Sequence, residues 1–491
     1  MRPKTLVPFP EFAPDQQIAG GASSRMKGVI SRAGRLAPLE DIAQIRAGSV
    51  MNDACLGGRC FYDSNGFPVA FLGDAGRLYR LNGKIPTDVS KSGGYSGSNS
   101  WAWTFEQFGN NIVAVMRGVA PQRFQLGVSS VFADLANAPI GDTVFRVRQH
   151  LFIAEGNVLN CSAFNNIESW APDFATQAFQ TELNQANGLI VAGWSGEQGA
   201  VFQERGIARL NYLGGQVPFQ IDEIEGGRGL CGPNAWAAWG RSAFCVAEDG
   251  FYVFDGMQAA PIGDKRVDRY FSSRLNYGFR QRVWAAVDSN RKCLMIGFPT
   301  GAAIEPNEVL IYSWADDKWT HDELDTQFGF EIHREPVDAD DEAGLIELFG
   351  TANADDSAFA TVSVDSPIFR ESRKEWAVVD ASRRVCQFTG ANRAAELSTG
   401  VYELAARKTF ISEIWPGTDA EPEGVTATVG TRLKRLSEAE TVSSPAQMND
   451  EGWCPVRAEG RYMSATVTIA AGAEWTEATG IYTDAGASGE R

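Results

Sequence analysis

Short runs of large apolar residues, broken by small turn-forming residues, recur along most of the chain. The segment GFYVFDGMQAAPIG (250–263) shows the unit: Phe251 to Phe254, the pair Asp255-Gly256, then Met257 to Ile262. Asp-Gly between strand formers predicts a hairpin, because the turn needs backbone angles that glycine adopts at little cost. The same grammar governs RCFYDSNGFPVAFLGDAGRLYRLNG (59–83), NNIVAVMRG with QRFQLG (110–127) and FRVRQHLFIAEGNVLNCSAFNNIESW (145–170). It continues through 188–215, 242–256, 283–299 and 309–324, and closes with LIELFGTA (345–352).

Strand centres at Tyr79, Val113, Ile153 and Ile190 lie 34, 40 and 37 residues apart, near the period of a four-stranded propeller blade. The next intervals, to Tyr252 and Tyr312, are 62 and 60, so this half carries insertions or merges units. The expected fold class is all-β: an irregular β-propeller of about six or seven blades, with a pair of β-sandwiches as the competing architecture.

Three regions depart from the pattern. Residues 1–50, with Pro3, Pro8, Pro10 and Pro14, read as an extended N-terminal arm. In VDRYFSSRLN (267–276), Val267, Tyr270, Phe271 and Leu275 share one helical face, so a helix is expected inside the propeller. In RYMSATVTIAAGAEWTEATGIYTDAG (461–486), Met463, Ala465, Val467 and Ile469 alternate with Tyr462, Ser464, Thr466 and Thr468, a half-buried antiparallel strand. With 401–416 and 424–433 it predicts a C-terminal β-sandwich-like domain. The expected boundaries are therefore 1–50 for the arm, 51–395 for the propeller and 396–491 for the sandwich.

Charge changes the picture. The chain of 491 residues has 61 acids against 44 bases, a net charge of −17. Tight binding to phosphate backbones needs Lys and Arg, so a protein that grips nucleic acid is disfavoured, whereas a surface past which nucleic acid slides is compatible. One basic island stands out: Lys265, Arg266, Arg269, Arg274, Arg280 and Arg282, offset only by Asp264 and Asp268. It is either a set of solvated arginines around a packed helix or a contact with DNA or a neighbouring subunit.

Candidate chemistry is sparse. The eight cysteines form no CxxC pair, and with three histidines no zinc spacing exists, so buried reduced thiols and a reducing cytoplasm during assembly are expected. There is no secretory h-region and no apolar run long enough to span a membrane, which predicts a soluble chain. No nucleophile elbow, P-loop or dinucleotide fingerprint occurs; EGGRGLCG (225–232) lacks the Lys-Ser/Thr ending and reads as turn chemistry. DADDEAGLIE (338–347) has Ala343 where a calcium loop needs glycine, and SWADDKW (313–319) lacks the Asp-box glycine. A propeller glycosidase would need two carboxylates at a set separation; Glu248, Asp249, Asp255 and Asp316 are candidates only as turn acids. No catalytic, cofactor or metal residues are expected.

Three segments, in order, resemble one family. Pro14-Asp15, Gly28-Val29-Ile30 and Gly34 to Pro38 are similar to the opening of phage tail proteins. The stretch 188–271, with Gly256, Gln258, Ala259, Pro261 and Ile262 in its hairpin, resembles the packaged-DNA-stabilising tail hub, or nozzle, of short-tailed bacteriophages. Gly460-Arg461-Tyr462, Trp475 and Gly489-Glu490-Arg491 resemble its closing strands; residues 325–400 align with nothing in it. The resemblance implies a structural virion protein, made in the host cytoplasm. It would form a ring, usually a homohexamer, below the portal and adaptor. That ring would continue the DNA channel through DNA ejection, help retain the genome without sequence-specific binding, and anchor fibre, spike or tip proteins. It further implies an acidic lumen and the basic island at a subunit contact. A glycan-binding or glycoside-cleaving tail propeller is the alternative.

Overall fold

The computed structural model describes residues 5–16, 22–45, 48–82, 85–215, 217–333, 374–403, 408–483 and 486–487. It is an all-β, propeller-like protein. Seven four-stranded antiparallel sheets follow one another along the chain. Their first strands are Gly57–Tyr62, Thr104–Phe108, Thr143–Val147, Ile190–Trp194, Trp236–Trp239, Trp284–Asp288 and Thr326–His333. These begin 39 to 48 residues apart.

That regularity corrects the spacing read from the sequence. Tyr79 lies in the third strand of its sheet, Val113 and Ile153 in second strands, Ile190 in a first strand, and Tyr252 and Tyr312 in third strands. Apolar runs mark every strand alike, so hydrophobicity alone does not tell one position in a sheet from another. The long interval before Tyr312 also contains the one α-helix among the described residues, α1 (Asp268–Arg274), and the 3₁₀ segment Tyr277–Arg282. Of the face expected for it, Phe271 in α1 and the flanking Val267 and Leu275 are buried, and Tyr270 is half-buried.

The hairpin that opens the sequence reading is present. Gly250–Phe254 and Ala259–Pro261 are the third and fourth strands of the fifth sheet, with Val253 opposite Ala260. Gly256 sits at φ 92°, and the Asp255 carboxylate accepts the Met257 and Gln258 N–H groups at 2.8 and 2.9 Å.

The seventh sheet is assembled from both halves of the chain. Thr326–His333, Lys374–Asp380 and Val385–Asn392 are completed by Glu40–Gln44, which pairs antiparallel with Val385–Asn392 through Phe388 opposite Ile42. Residues 334–373, with the acidic run 338–347 and the strand expected at 345–352, lie outside the described residues.

Two further sheets remain. One has seven strands and joins Thr5–Pro8, Val29–Arg32 and Arg35–Pro38 to Thr409–Thr418, Cys454–Gly460, Ala478–Thr483 and Gly486–Ala487. The other has six and joins Met26–Lys27 to Ala395–Ser398, Val425–Arg432, Thr441–Val442, Ala446–Gln447 and Tyr462–Ile469. Met463, Ala465, Val467 and Ile469 are buried, as the alternation predicts. On the opposite face Ser464 and Thr466 are also covered, and their hydroxyls donate to Glu440 and Ser398. One apolar core runs from these sheets through Phe9, Phe12 and Phe271 into Phe244, Leu294 and Leu310 of the fifth and sixth four-stranded sheets. The N-terminal segment is thus extended, but it pairs into three separate sheets. Its prolines do not prevent this, because Pro8 and Pro38 end their strands, where a missing N–H costs least.

Candidate functional site

Residues from the first strand of all seven sheets line one central cavity of 190 Å³. Gly58, Arg59 and Cys60 face Thr104, Phe105, Thr143, Val144, Ala192, Gly193, Trp236, Ala285 and Phe328 to Glu331 across it. Small residues are needed where these strands converge. A Cβ on Gly193 would enter the Phe145 ring, and one on Gly329 the Trp284 ring.

The cavity is narrowed by Arg59, whose guanidinium carbon lies 5.6 Å from the Phe61 ring and 5.9 Å from that of Trp236, in the fifth sheet. Arg59 Nη1 also donates to Phe105 O and to Glu106 Oε2, both at 3.1 Å. Glu106 is 4% exposed and accepts a second bond from Ser195 Oγ at 2.7 Å. Lys374 Nζ is 2.6 Å from Glu331 Oε2. His333 packs on Tyr62 at 4.6 Å between ring centroids. Burial, reinforced by the Lys374 charge, lowers its pKa to about 4, so the ring is neutral at pH 7. Burial likewise pushes the Cys60 thiol up to about 11. A second cavity of 430 Å³ opens where the first strands end, bounded by Arg59, Tyr62, Glu106, Gln107 and Arg146.

This arrangement offers ion-paired carboxylates, a neutral imidazole and a protonated thiol. None of the four turn acids weighed for a glycosidase lies on it. Glu248 pairs with Arg280 at 3.1 Å and Asp249 with Arg228 at 3.8 Å. Asp255 caps its own turn, and those backbone N–H bonds hold its pKa below the usual range. Asp316 accepts Ser31 Oγ and the Gly34 N–H. The acid with the clearest upward shift is Asp268, which the sequence offers only as an offset to the basic island. Asp268 is half-buried against Gly250 and Gly263, and that desolvation raises it to about 6, despite a bond from the Phe251 N–H.

The basic island is not one surface. Arg266 pairs with Glu11 at 3.3 Å and Asp317 at 3.0 Å, and Arg274 pairs with buried Glu308 at 2.7 Å. Arg280 pairs with Glu204 at 2.9 Å as well as with Glu248. Arg282 is 6% exposed and donates to Cys55 O. Lys265 and Arg269 alone are exposed and form no ion pair with a described residue. The cations cluster in sequence, but their partners come from distant segments.

The histidines are also structural in setting. His321 Nε2 lies 2.7 Å from Glu308 Oε1, which Tyr270 OH also contacts. His150 is fully buried, with Nδ1 at 2.9 Å from Ser162 O, and burial lowers its pKa. In 225–232, a Cβ on Gly229 would strike Gln203 O, and Tyr252 OH donates to Gly229 O, so Gly229 serves close packing, while Gly227 takes a left-handed turn conformation at φ 99°. All eight cysteines are free, and all but Cys60 are buried. Among the described residues no His, Cys, Asp and Glu group could hold a metal, and no helix is long and apolar enough to cross a membrane.

No protein-family model matches the chain, and no curated protein does. Among solved structures it is similar to the extracellular domain of BT4673 from B. thetaiotaomicron, with 9% identity and a TM-score of 0.42 over 82% of this chain. The chain spans about half of that domain, 47%. It is also similar to the N-terminal domain of Nup159, with 10% identity, TM-score 0.37 and coverage of 74% of this chain and 98% of that one. YCF48 bound to D1 peptide gives 10% identity, TM-score 0.35 and coverage of 59% and 87%.

Proposed function

We propose that the seven four-stranded sheets are the blades of one closed propeller and that the seven- and six-stranded sheets form a β-sandwich-like domain built on it. We further propose that the chain is a structural subunit of a bacteriophage tail, a hub or nozzle ring below the portal and adaptor. In that ring, copies of the chain surround the DNA path, help retain the packaged genome and anchor other tail parts.

The observation that carries this reading is the interlocking of the chain's two ends. Strands from residues 5–8, 26–27 and 29–38 belong to the same sheets as strands from 395–487, while Glu40–Gln44 completes the seventh four-stranded sheet. Both ends of the chain are thereby tied into the body of the fold, which suits a ring component subject to internal pressure. The carboxylates nearest the central cavity are committed to ion pairs, which supports a scaffold over a catalyst. On this reading the genome passes through the lumen of the assembled ring, since the space enclosed by the first strands of each propeller is only 190 Å³.

Identical copies close a ring through head-to-tail contacts. Negative-stain microscopy of the purified full chain, alone and with portal and adaptor proteins, tests the proposal. Rings of matching symmetry are expected; a monomer that stays single with these neighbours and hydrolyses a glycan overturns it.

A further inference from the structure

The mouth of the central cavity has an imbalance of charge. Arg59 and Cys60 line both the central cavity and the 430 Å³ cavity beside it; Lys374, Glu331 and His333 line the first, Arg146 and Glu106 the second, so three cations stand with two carboxylates across the pair. Both carboxylates are taken. Glu106 accepts from Arg59 and Ser195, and Glu331 accepts from Lys374. Arg146 forms no ion pair with a described residue, and its buried Nε meets no acceptor among them. His333, 7% exposed, likewise has a buried Nδ1 without a partner among the described residues. This local positive excess occurs in a chain of net charge −17.

We infer that this mouth binds a small oxyanion, a phosphate or carboxylate group, between the Arg146 and Arg59 guanidinium groups and the His333 ring. A planar guanidinium presents two parallel N–H donors that match the oxygens of such a group. Among the described residues Glu106 pairs with Arg59 but no carboxylate pairs with Arg146, so Arg146 is the cation left for a ligand. The Cys60 thiol stays protonated, and the neutral His333 ring can offer Nδ1 as an N–H donor. The strands that carry Arg59, Arg146 and His333 are each paired with the second strand of their own sheet, Arg59 opposite Phe71, Arg146 opposite Leu151 and His333 opposite Lys374, so the backbone of the site is pre-formed. The 430 Å³ volume beside Arg146 accommodates an ion or a compact metabolite-sized acid.

Titration of the full chain with inorganic phosphate, and separately with acetate, at ionic strength held constant with chloride, tests this. The chain has three histidines, so the His333 ring signals in NMR can be followed beside His150 and His321. Saturable movement of the His333 signals alone is expected. Arg146→Met, which keeps the apolar stem, should weaken binding about tenfold or more, the loss of one charge-assisted bidentate contact. Arg35→Ala, at the distant Arg35–Glu477 pair, should leave it unchanged. The stronger of the two probes distinguishes a phosphate from a carboxylate ligand. Absence of saturation with both probes, or equal affinity in Arg146→Met and wild type, overturns the inference.

Discussion

Glu11 and Arg266 stand 255 residues apart and meet at 3.3 Å beneath helix α1. The same Glu11 carboxylate accepts the Trp319 N–H, and Arg266 reaches on to Ile262 O and Asp317. One ion pair therefore ties the N-terminal segment, the helix and the sixth four-stranded sheet together. Both side chains are 17% exposed, so removing one strands the other away from most solvent. Arg266→Ala should cost about 2–3 kcal/mol, more than a surface pair would. Arg266→Lys should recover only part of it, because an ammonium cannot span Ile262 O and both carboxylates. Urea midpoints of the two variants check this.

Phe12 fills the space beside that pair. It stacks on His321 at 5.0 Å and meets Tyr270 edge-on at 5.1 Å, and it is 1% exposed. Phe12→Ala should cost about 3–5 kcal/mol, the usual penalty for emptying a buried aromatic site. The loss should be local first. Limited proteolysis should cut the N-terminal segment of the variant while the four-stranded sheets stay resistant.

Arg291 performs the corresponding task at the closing strand. It donates to Asp288, to Glu40 at 2.5 Å and to Phe388 O at 3.2 Å. Asp288 is fully buried, so Arg291→Ala leaves an uncompensated carboxylate and frees the strand Glu40–Gln44. A loss of about 3 kcal/mol is expected. Hydrogen exchange should show Glu40–Gln44 and Val385–Asn392 opening together; faster exchange spread evenly over all sheets would contradict the assignment of Glu40–Gln44 as a clasp.

What the sequence shows and hides follows from range. Asp255-Gly256 announces its hairpin because the turn is decided within four residues, and the face of helix α1 is decided within ten. The partners of Thr5–Pro8 and Glu40–Gln44 lie hundreds of residues away, and nothing local to Pro8 or Ile42 names them. The cation cluster 265–282 reads as a free patch for the same reason. Glu11, Glu204, Glu308 and Asp317 meet Arg266, Arg274 and Arg280 only in three dimensions. Arg59, Arg146 and Lys374 carry no shared sequence signal at all, since each is a single charge on a different inner or neighbouring strand.

Asp268 and His333 should bend the stability profile in opposite directions over one pH range. Asp268 is raised to about 6 in the folded chain, from an ordinary value near 3.8. Between those values the folded state holds the extra proton, so this residue makes the protein more stable as pH falls from about 7 to 4. His333 is lowered to about 4 from near 6.5. There the unfolded state holds the extra proton, so this residue makes the protein less stable as pH falls through the same range. Asp268→Asn keeps an acceptor for the Phe251 N–H and removes the half-buried charge. It should therefore raise the melting temperature at pH 8, with the gain vanishing near pH 4. His333→Gln should do the reverse, flattening the acid side of the profile. Melting curves of both variants and wild type from pH 4 to 8 decide the matter: profiles parallel to wild type would mean that neither group is buried as described.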